Sequence, residues 1–221
     1  MASASKLPIL YGYFRSSAAY RLRIALNLKG LAHEHRTVHM LKQGGEQLQP
    51  DHLARNPQAL VPTLEIDGLM LSQSLAILDY LEETRPEKPL LPQSPASKAQ
   101  MRAFCQSIAC EIHPVNNLRV LKYLVTELGA SEEQKLDWYR HWVETGLQAS
   151  AKMLEMHGAT GDFCYGDEPS QADCCLIPQL YNARRFNCDL TGLERLIEIE
   201  QNAAKLPAFQ QAHPDQQPDA A

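Results

Sequence analysis

Two short apolar runs, 61–66 and 69–71, flank Asp67-Gly68. Asp-Gly supplies the positive φ angles of a two-residue turn, so this stretch is all but committed to an antiparallel hairpin. Pro62 lacks an N–H for the strand ladder and belongs at an edge or in a bend. A cis peptide after Val61 is allowed there, although base rate favours trans. Ser72-Gln73-Ser74 then leads into Leu75, Ile77, Leu78 and Leu81, a strand-to-helix junction with Ser74 as its hydroxyl cap.

The hairpin lies in a region, residues 6–87, where short apolar runs alternate with helical stretches, the pattern of a mixed α/β unit. Residues 7–13 read as a first strand. A helix beginning near Ser17 carries Leu22, Ala25, Leu26 and Leu28 and stops at Gly30, a common left-handed terminator. Residues 33–40 fit a second strand and 46–56 a weak helix. Residues 88–97 contain three prolines and read as a linker. From 98 to 212 apolar residues recur at helical spacing, as in Leu118, Leu121, Val125 and Leu128 and then Trp138, Trp142 and Leu147, so this part is expected to be all-helical. Within it, Ser170-Gln171-Ala172-Asp173 resembles a helix-starting capping box, a folding role. Residues 213–221 are polar and proline-bearing, the profile of a flexible tail.

With 221 residues and 44% hydrophobic content the chain can bury a substantial core. A net charge of -5 disfavours nucleic acid or an anionic membrane as the general partner and turns attention to small molecules. No signal-like N-terminus and no run of about 18 apolar residues is seen, so the chain reads as cytoplasmic. Its six cysteines lack a C-x-x-C pair and read as free, mostly buried thiols. His33 and His35 share a strand face without further ligands, and read as surface residues; no metal is expected.

Ser16 and Ser17 stand where the first strand meets the first helix. Helix N-termini present unpaired N–H groups and positive partial charge, so the pair could hold an anion, or a thiol that must become one. No cysteine precedes Cys105, so sulfur acting here would have to arrive on a ligand.

Phe14-Arg15-Ser16-Ser17, the run Arg21-Leu22-Arg23-Ile24-Ala25-Leu26, Gln73-Ser74-Leu75-Ala76-Ile77 and the segment from Gly166 to Asp173 resemble the glutathione transferases, and the zeta class in particular, with the likeness running from Leu7 to Pro218. The resemblance implies an α/β plus all-α architecture, in which a thioredoxin-like N-terminal domain is followed by a helical domain that contributes to the substrate site, usually in a homodimer. It also implies glutathione as cofactor, a small dicarboxylic keto acid as substrate, and the activity for which the class is named, maleylacetoacetate isomerisation in tyrosine and phenylalanine breakdown. Reversible addition of a thiolate makes the double bond single, permits rotation, and regenerates glutathione on expulsion. A free thiol of pKa about 8.5 is only about 3% ionised at pH 7, and lowering it by about two units is worth about 2.7 kcal/mol.

By the same resemblance Ser16 contacts the sulfur, with Ser17 assisting or capping; which of them carries the catalytic load stays open. Val61 would pair its backbone with the cysteinyl unit, and Gln73 and Ser74 would meet the γ-glutamyl carboxylate. Gln47, His113 and Asn117 match further glutathione contacts. Arg15 would grip a substrate carboxylate through its two-pronged guanidinium, with Arg119 and Arg185 as further candidates. The chain departs from the zeta pattern at Ala18, where a cysteine normally follows the serines. The departure bears on activities that depend on the cysteine, and less on isomerisation, whose nucleophile is borrowed. Maleylpyruvate isomerisation, general glutathione transfer and a non-enzymatic protein-binding module are the alternatives.

Overall fold

The computed structural model describes residues 6–220. They divide into two compact units: one takes in the described residues up to Leu90 and again from Leu206, and the other runs Leu91–Lys205.

The first unit is built on β1 (Ile9–Gly12), α1 (Ser17–Lys29), β2 (Glu34–Thr37), α2 (Pro50–Leu53), β3 (Thr63–Ile66), β4 (Leu69–Ser72) and α3 (Ser74–Thr84). The sheet order is β2-β1-β3-β4, with β2 parallel and β3 antiparallel to β1. Asp67 and Gly68 both take positive φ, 53° and 78°, giving the two-residue turn read from sequence. Helix α1 is capped by Ser16, whose hydroxyl accepts the Ala19 N–H, and ends at Gly30 with φ of 70°. Leu10, Leu22, Ile24, Leu26, Leu64, Ile77 and Leu81 form its core.

Three expectations are corrected here, and one question the sequence left open is answered. The weak helix over 46–56 is a 3-10 turn, Glu46–Leu48, followed by α2, because Pro50 holds Gln49 extended and breaks a continuous helix. Ser74 is the first residue of α3 and not its cap; Gln73 occupies the cap position and makes no side-chain cap bond. The Val61-Pro62 peptide, whose isomer the sequence left open, is cis. The His35 side chain is only 9% exposed, because it lies against Asp219.

The second unit contains α4 (Pro95–Gln106), a π turn over Ser107–Ile112, α5 (His113–Val115), α6 (Leu118–Thr126), α7 (Glu132–Met156), α8 (Gln171–Arg185) and α9 (Glu194–Ala203). Pro114 cannot donate the backbone bond that a continuous α-helix requires, and the wider turn lies directly before it. Cys105, Cys164, Cys174 and Cys175 are buried, Cys188 is half-buried and Cys110 is exposed; all six are free. Ser170 and Asp173 form the reciprocal capping box of α8.

Helix α7 packs on the π turn through Gly146. A Cβ there would sit 2.3 Å from Cγ1 and 2.5 Å from Cδ1 of buried Ile112. Gly146→Ala should therefore destabilise the protein by about 1–3 kcal/mol despite alanine's better helix propensity. Urea unfolding of Gly146→Ala, Ile112→Ala and the double variant checks this: the double variant should lose less than the two single losses added.

The segment from Leu206 was expected to end the helical domain and fray. It returns to the first unit instead, where α10 (Pro207–Ala212) packs on α1. Arg23 donates from Nε to Ala212 O at 2.9 Å, Asn27 donates to Ala208 O at 2.9 Å, and Asp219 accepts the Phe14 N–H at 2.9 Å. Polar composition suggested freedom, but these buried and half-buried bonds supply the anchor. Ala221 lies outside the described residues. Among the described residues no helix is long and apolar enough to cross a membrane.

Candidate active site

Strand register brings most first-unit candidates to one end of the sheet. Tyr11 pairs with Thr63, and Thr63 pairs with Ser72, so the C-terminal end of β1, the start of β3 and the end of β4 are level. Ser16 and Ser17 follow β1, Val61-Pro62 immediately precedes β3, and Gln73-Ser74 immediately follows β4. Parallel β2 ends at the same edge, Gly12 beside Thr37, and the chain beyond it carries Gln47. The carboxyl ends of strands feeding helices are a favoured place for ligands in α/β sheets.

Ser16, Val61 and Gln47 retain unused hydrogen-bonding capacity. Ser16 is half-buried, and its oxygen accepts the Ala19 N–H at 3.2 Å, which leaves the hydroxyl proton available for donation. Ser17 is buried as the first residue of α1. Neither α1 nor α3 has an acidic residue in its first turn, so the positive partial charge of both starts remains for an incoming anion. The Val61 peptide groups enter no backbone hydrogen bond among the described residues. Gln47 Oε1 is buried without a hydrogen-bond partner among them. Gly45 permits this placement, since a Cβ there would lie 2.7 Å from Gln47 Nε2.

The start of α3 shows strain and charge together. Gln73 has φ of 67° and ψ of 106°, an unusual conformation for a non-glycine residue, and its amide donates to Gln58 Oε1 at 2.8 Å. Ser74 Oγ accepts from Arg21 Nη1 at 2.5 Å. Arg21 is 2% exposed, so α1 delivers a buried positive charge to the start of α3. Sequence reading missed this, because arginine in an amphipathic helix ordinarily reads as a solvated face.

Arg15 is exposed, with its guanidinium 4.7 Å from the centre of the Phe14 ring. In the second unit, His113 begins α5 directly after the π turn. Asn117 caps α6 by accepting the Arg119 N–H at 3.2 Å. Arg119 is exposed in the first turn of α6, and Arg185 is exposed at the last position of α8. Neighbouring Arg184 is spoken for by Glu200, with Nη2 and Oε2 2.5 Å apart. Arg15, Arg119 and Arg185 form no ion pair with any described residue.

Beneath the Ser16 junction lies a carboxylate that the sequence reading assigned to the tail. Burial acts to raise the Asp219 pKa, but His35 and the Phe14 N–H outweigh it and hold the carboxyl below its ordinary value.

Residues 10–89 match the family model described as glutathione S-transferase, N-terminal domain. A probable maleylacetoacetate isomerase of Vibrio cholerae is 50% identical over 96% of this chain and 98% of its own length. A solved maleyl pyruvate isomerase, described as a bacterial glutathione S-transferase in the zeta class, superposes with a TM-score of 0.93 at 40% identity, covering 96% of this chain and 100% of that one. A maleylacetoacetate isomerase of Methylobacterium extorquens, solved with bound malonate and glutathione, has a TM-score of 0.91 at 42% identity, covering 96% of this chain and 99% of its own. With a thioredoxin-like sheet, a helical second unit and relatives of this closeness over their whole length, the chain belongs to the zeta class of the glutathione S-transferases, the family of the maleylacetoacetate isomerases.

Proposed function

We propose that this protein is a glutathione-dependent cis-trans isomerase that converts maleylacetoacetate to fumarylacetoacetate, acting in the cytoplasm as a homodimer in tyrosine and phenylalanine breakdown. The observation that carries this reading is the meeting, at one sheet edge, of a serine-capped helix start, an unpaired Val61 peptide and an α3 start without a side-chain cap. Those groups fit glutathione. The free Val61 N–H and C=O suit an extended peptide added as a strand. The α3 start, with Gln73, Ser74 and Arg21 behind it, suits the γ-glutamyl carboxylate. Gln47 offers a buried amide oxygen to a donor. When bound, glutathione supplies a thiolate able to add reversibly to a conjugated double bond.

The chain's own part is to hold that sulfur as an anion and to orient the acid. Ser16, already fixed by its cap bond, donates its hydroxyl proton toward the sulfur without losing the Ala19 contact. The α1 N–H groups add positive partial charge, and Ser17 assists. His113 and Asn117 are further glutathione contacts. Arg15, Arg119 and Arg185, with no internal acid to neutralise them, are assigned to the substrate carboxylates. The edge strand β4 leaves Leu69 and Met70 exposed, an apolar stretch that a second copy would cover.

Maleylpyruvate is the second reading, favoured by the two unpaired arginines of the helical unit, which suit a short dianion. Purified protein is assayed on both substrates with and without glutathione. The expected result is turnover only with glutathione, a product of unchanged mass, and the larger kcat/KM on maleylacetoacetate. A product heavier by one glutathione, or turnover without it, overturns the isomerase reading, and a larger kcat/KM on maleylpyruvate selects the second.

A further inference from the structure

We propose that Asp219 is a positioning residue for the Ser16 junction, fixing the turn that aims the serine hydroxyl. This inference rests on the reading of Ser16 as the sulfur contact. The turn from Tyr13 to Ser16 is closed by the Ser16 N–H donating to Tyr13 O at 2.9 Å. Phe14 sits inside that turn, and both of its peptide groups are taken by side chains from outside it. Its N–H donates to Asp219 Oδ2 at 2.9 Å, and its carbonyl accepts from Arg23 Nη2 at 3.0 Å. Arg23 is itself tied to Ala212 O in the same returning segment. His35 Nε2 lies 3.4 Å from the other Asp219 oxygen, with the two side chains 9% and 5% exposed. Ala220 packs against the apolar cluster that contains Tyr13, Phe14, Val38 and Val61. A charge-assisted bond to a backbone N–H is stronger and more directional than a neutral one, and here it acts two residues from the reacting hydroxyl. Small misplacements at such a point are expensive in rate.

The test compares wild type, Asp219→Ala, Asp219→Asn and Ser16→Ala. Three quantities are read on the same samples: kcat per folded molecule, glutathione KM, and the pKa of enzyme-bound glutathione thiol from its thiolate absorbance. Asp219→Ala is expected to lower kcat about tenfold and raise the bound thiol pKa by about one unit, with KM changed less than about threefold. Asp219→Asn, whose amide oxygen can still accept the Phe14 N–H, should return kcat to within about threefold of wild type. His35→Leu, which frees the carboxylate without removing it, should shift kcat and thiol pKa in the same direction by less, and it decides the matter if Asp219→Ala does not fold. Wild-type kcat and thiol pKa in the Asp219 and His35 variants, with lowered melting temperature alone, overturn the positioning role while Ser16→Ala still raises the thiol pKa. If Ser16→Ala leaves that pKa unchanged, the functional reading falls and this inference falls with it.

Discussion

Ser16→Ala should lower isomerase kcat by about a hundredfold or more while costing only about 1 kcal/mol of stability. The two losses have different origins. The stability loss is that of a helix cap, because the Ala19 N–H loses its acceptor. The rate loss has two parts: a thiol returned from a depressed pKa to about 8.5 is only about 3% thiolate at pH 7, and the donor aimed at the sulfur in the addition step disappears. Ser16→Gly separates them, since glycine serves as a helix cap at a cost of only a few tenths of a kcal/mol. It should recover most of the stability and none of the rate. The pH profile gives the sign independently. Removing a donor to the anion favours the protonated thiol, so the acid limb of kcat/KM moves to higher pH, and the variants should gain about tenfold per pH unit up to about pH 8.5. Stopped-flow isomerisation across pH 6–9, with urea unfolding of the same samples, checks both.

Much of this site was legible because backbone signals are local. Gly30 as terminator and Asp67-Gly68 as turn each follow from what a few neighbouring residues permit, and both appear where the sequence puts them, whereas the cap of α1 is Ser16 and not Ser17. The sheet edge then follows from topology, since an antiparallel hairpin beside a parallel strand pair brings three junctions level. Contacts between residues far apart in sequence were not legible. Arg21, Arg23 and Lys29 are all buried, because their partners are Ser74, Ala212 O and Glu82, which helical spacing does not reveal. Asp219 acts 205 positions from Phe14, in a stretch whose composition alone resembles a loose end. The dipeptide Gln49-Pro50 did carry its own warning, and the single weak helix proposed across it ignored the constraint proline places on its predecessor.

Asp173→Ala should be among the most damaging single changes in the helical unit, at about 3–5 kcal/mol. The Asp173 carboxylate is fully buried and accepts three donors: the Cys164 N–H at 2.9 Å, the Ser170 N–H at 2.8 Å and the Ser170 hydroxyl at 2.8 Å. Alanine leaves all three without an acceptor, and each buried orphan costs about 1–3 kcal/mol, partly offset by no longer burying a carboxyl. Ser170→Ala, which keeps the carboxylate and both backbone donors, should cost only about 1–2 kcal/mol, the value of a cap. The pH dependence has the opposite sign to ordinary acid unfolding. Burial raises the Asp173 pKa against the pull of its donors, so the folded state keeps a proton that the unfolded chain releases near pH 4. The stability attributable to this proton is full below that value and is lost as pH rises through the raised folded pKa. The gap in unfolding free energy between wild type and Asp173→Ala should therefore narrow from pH 4 upward, a trend that urea titrations at stepped pH would read directly. A gap that widens over this range would mean that the three donors, and not burial, set the protonation of the box. Thiol labelling supplies a local readout. The Cys164 thiol is held well above its ordinary pKa by burial and by Asp173 beside it, and should label slowly in the native protein. Once alanine frees the loop that donates to the box, that cysteine should label faster under native conditions, before the unit as a whole unfolds.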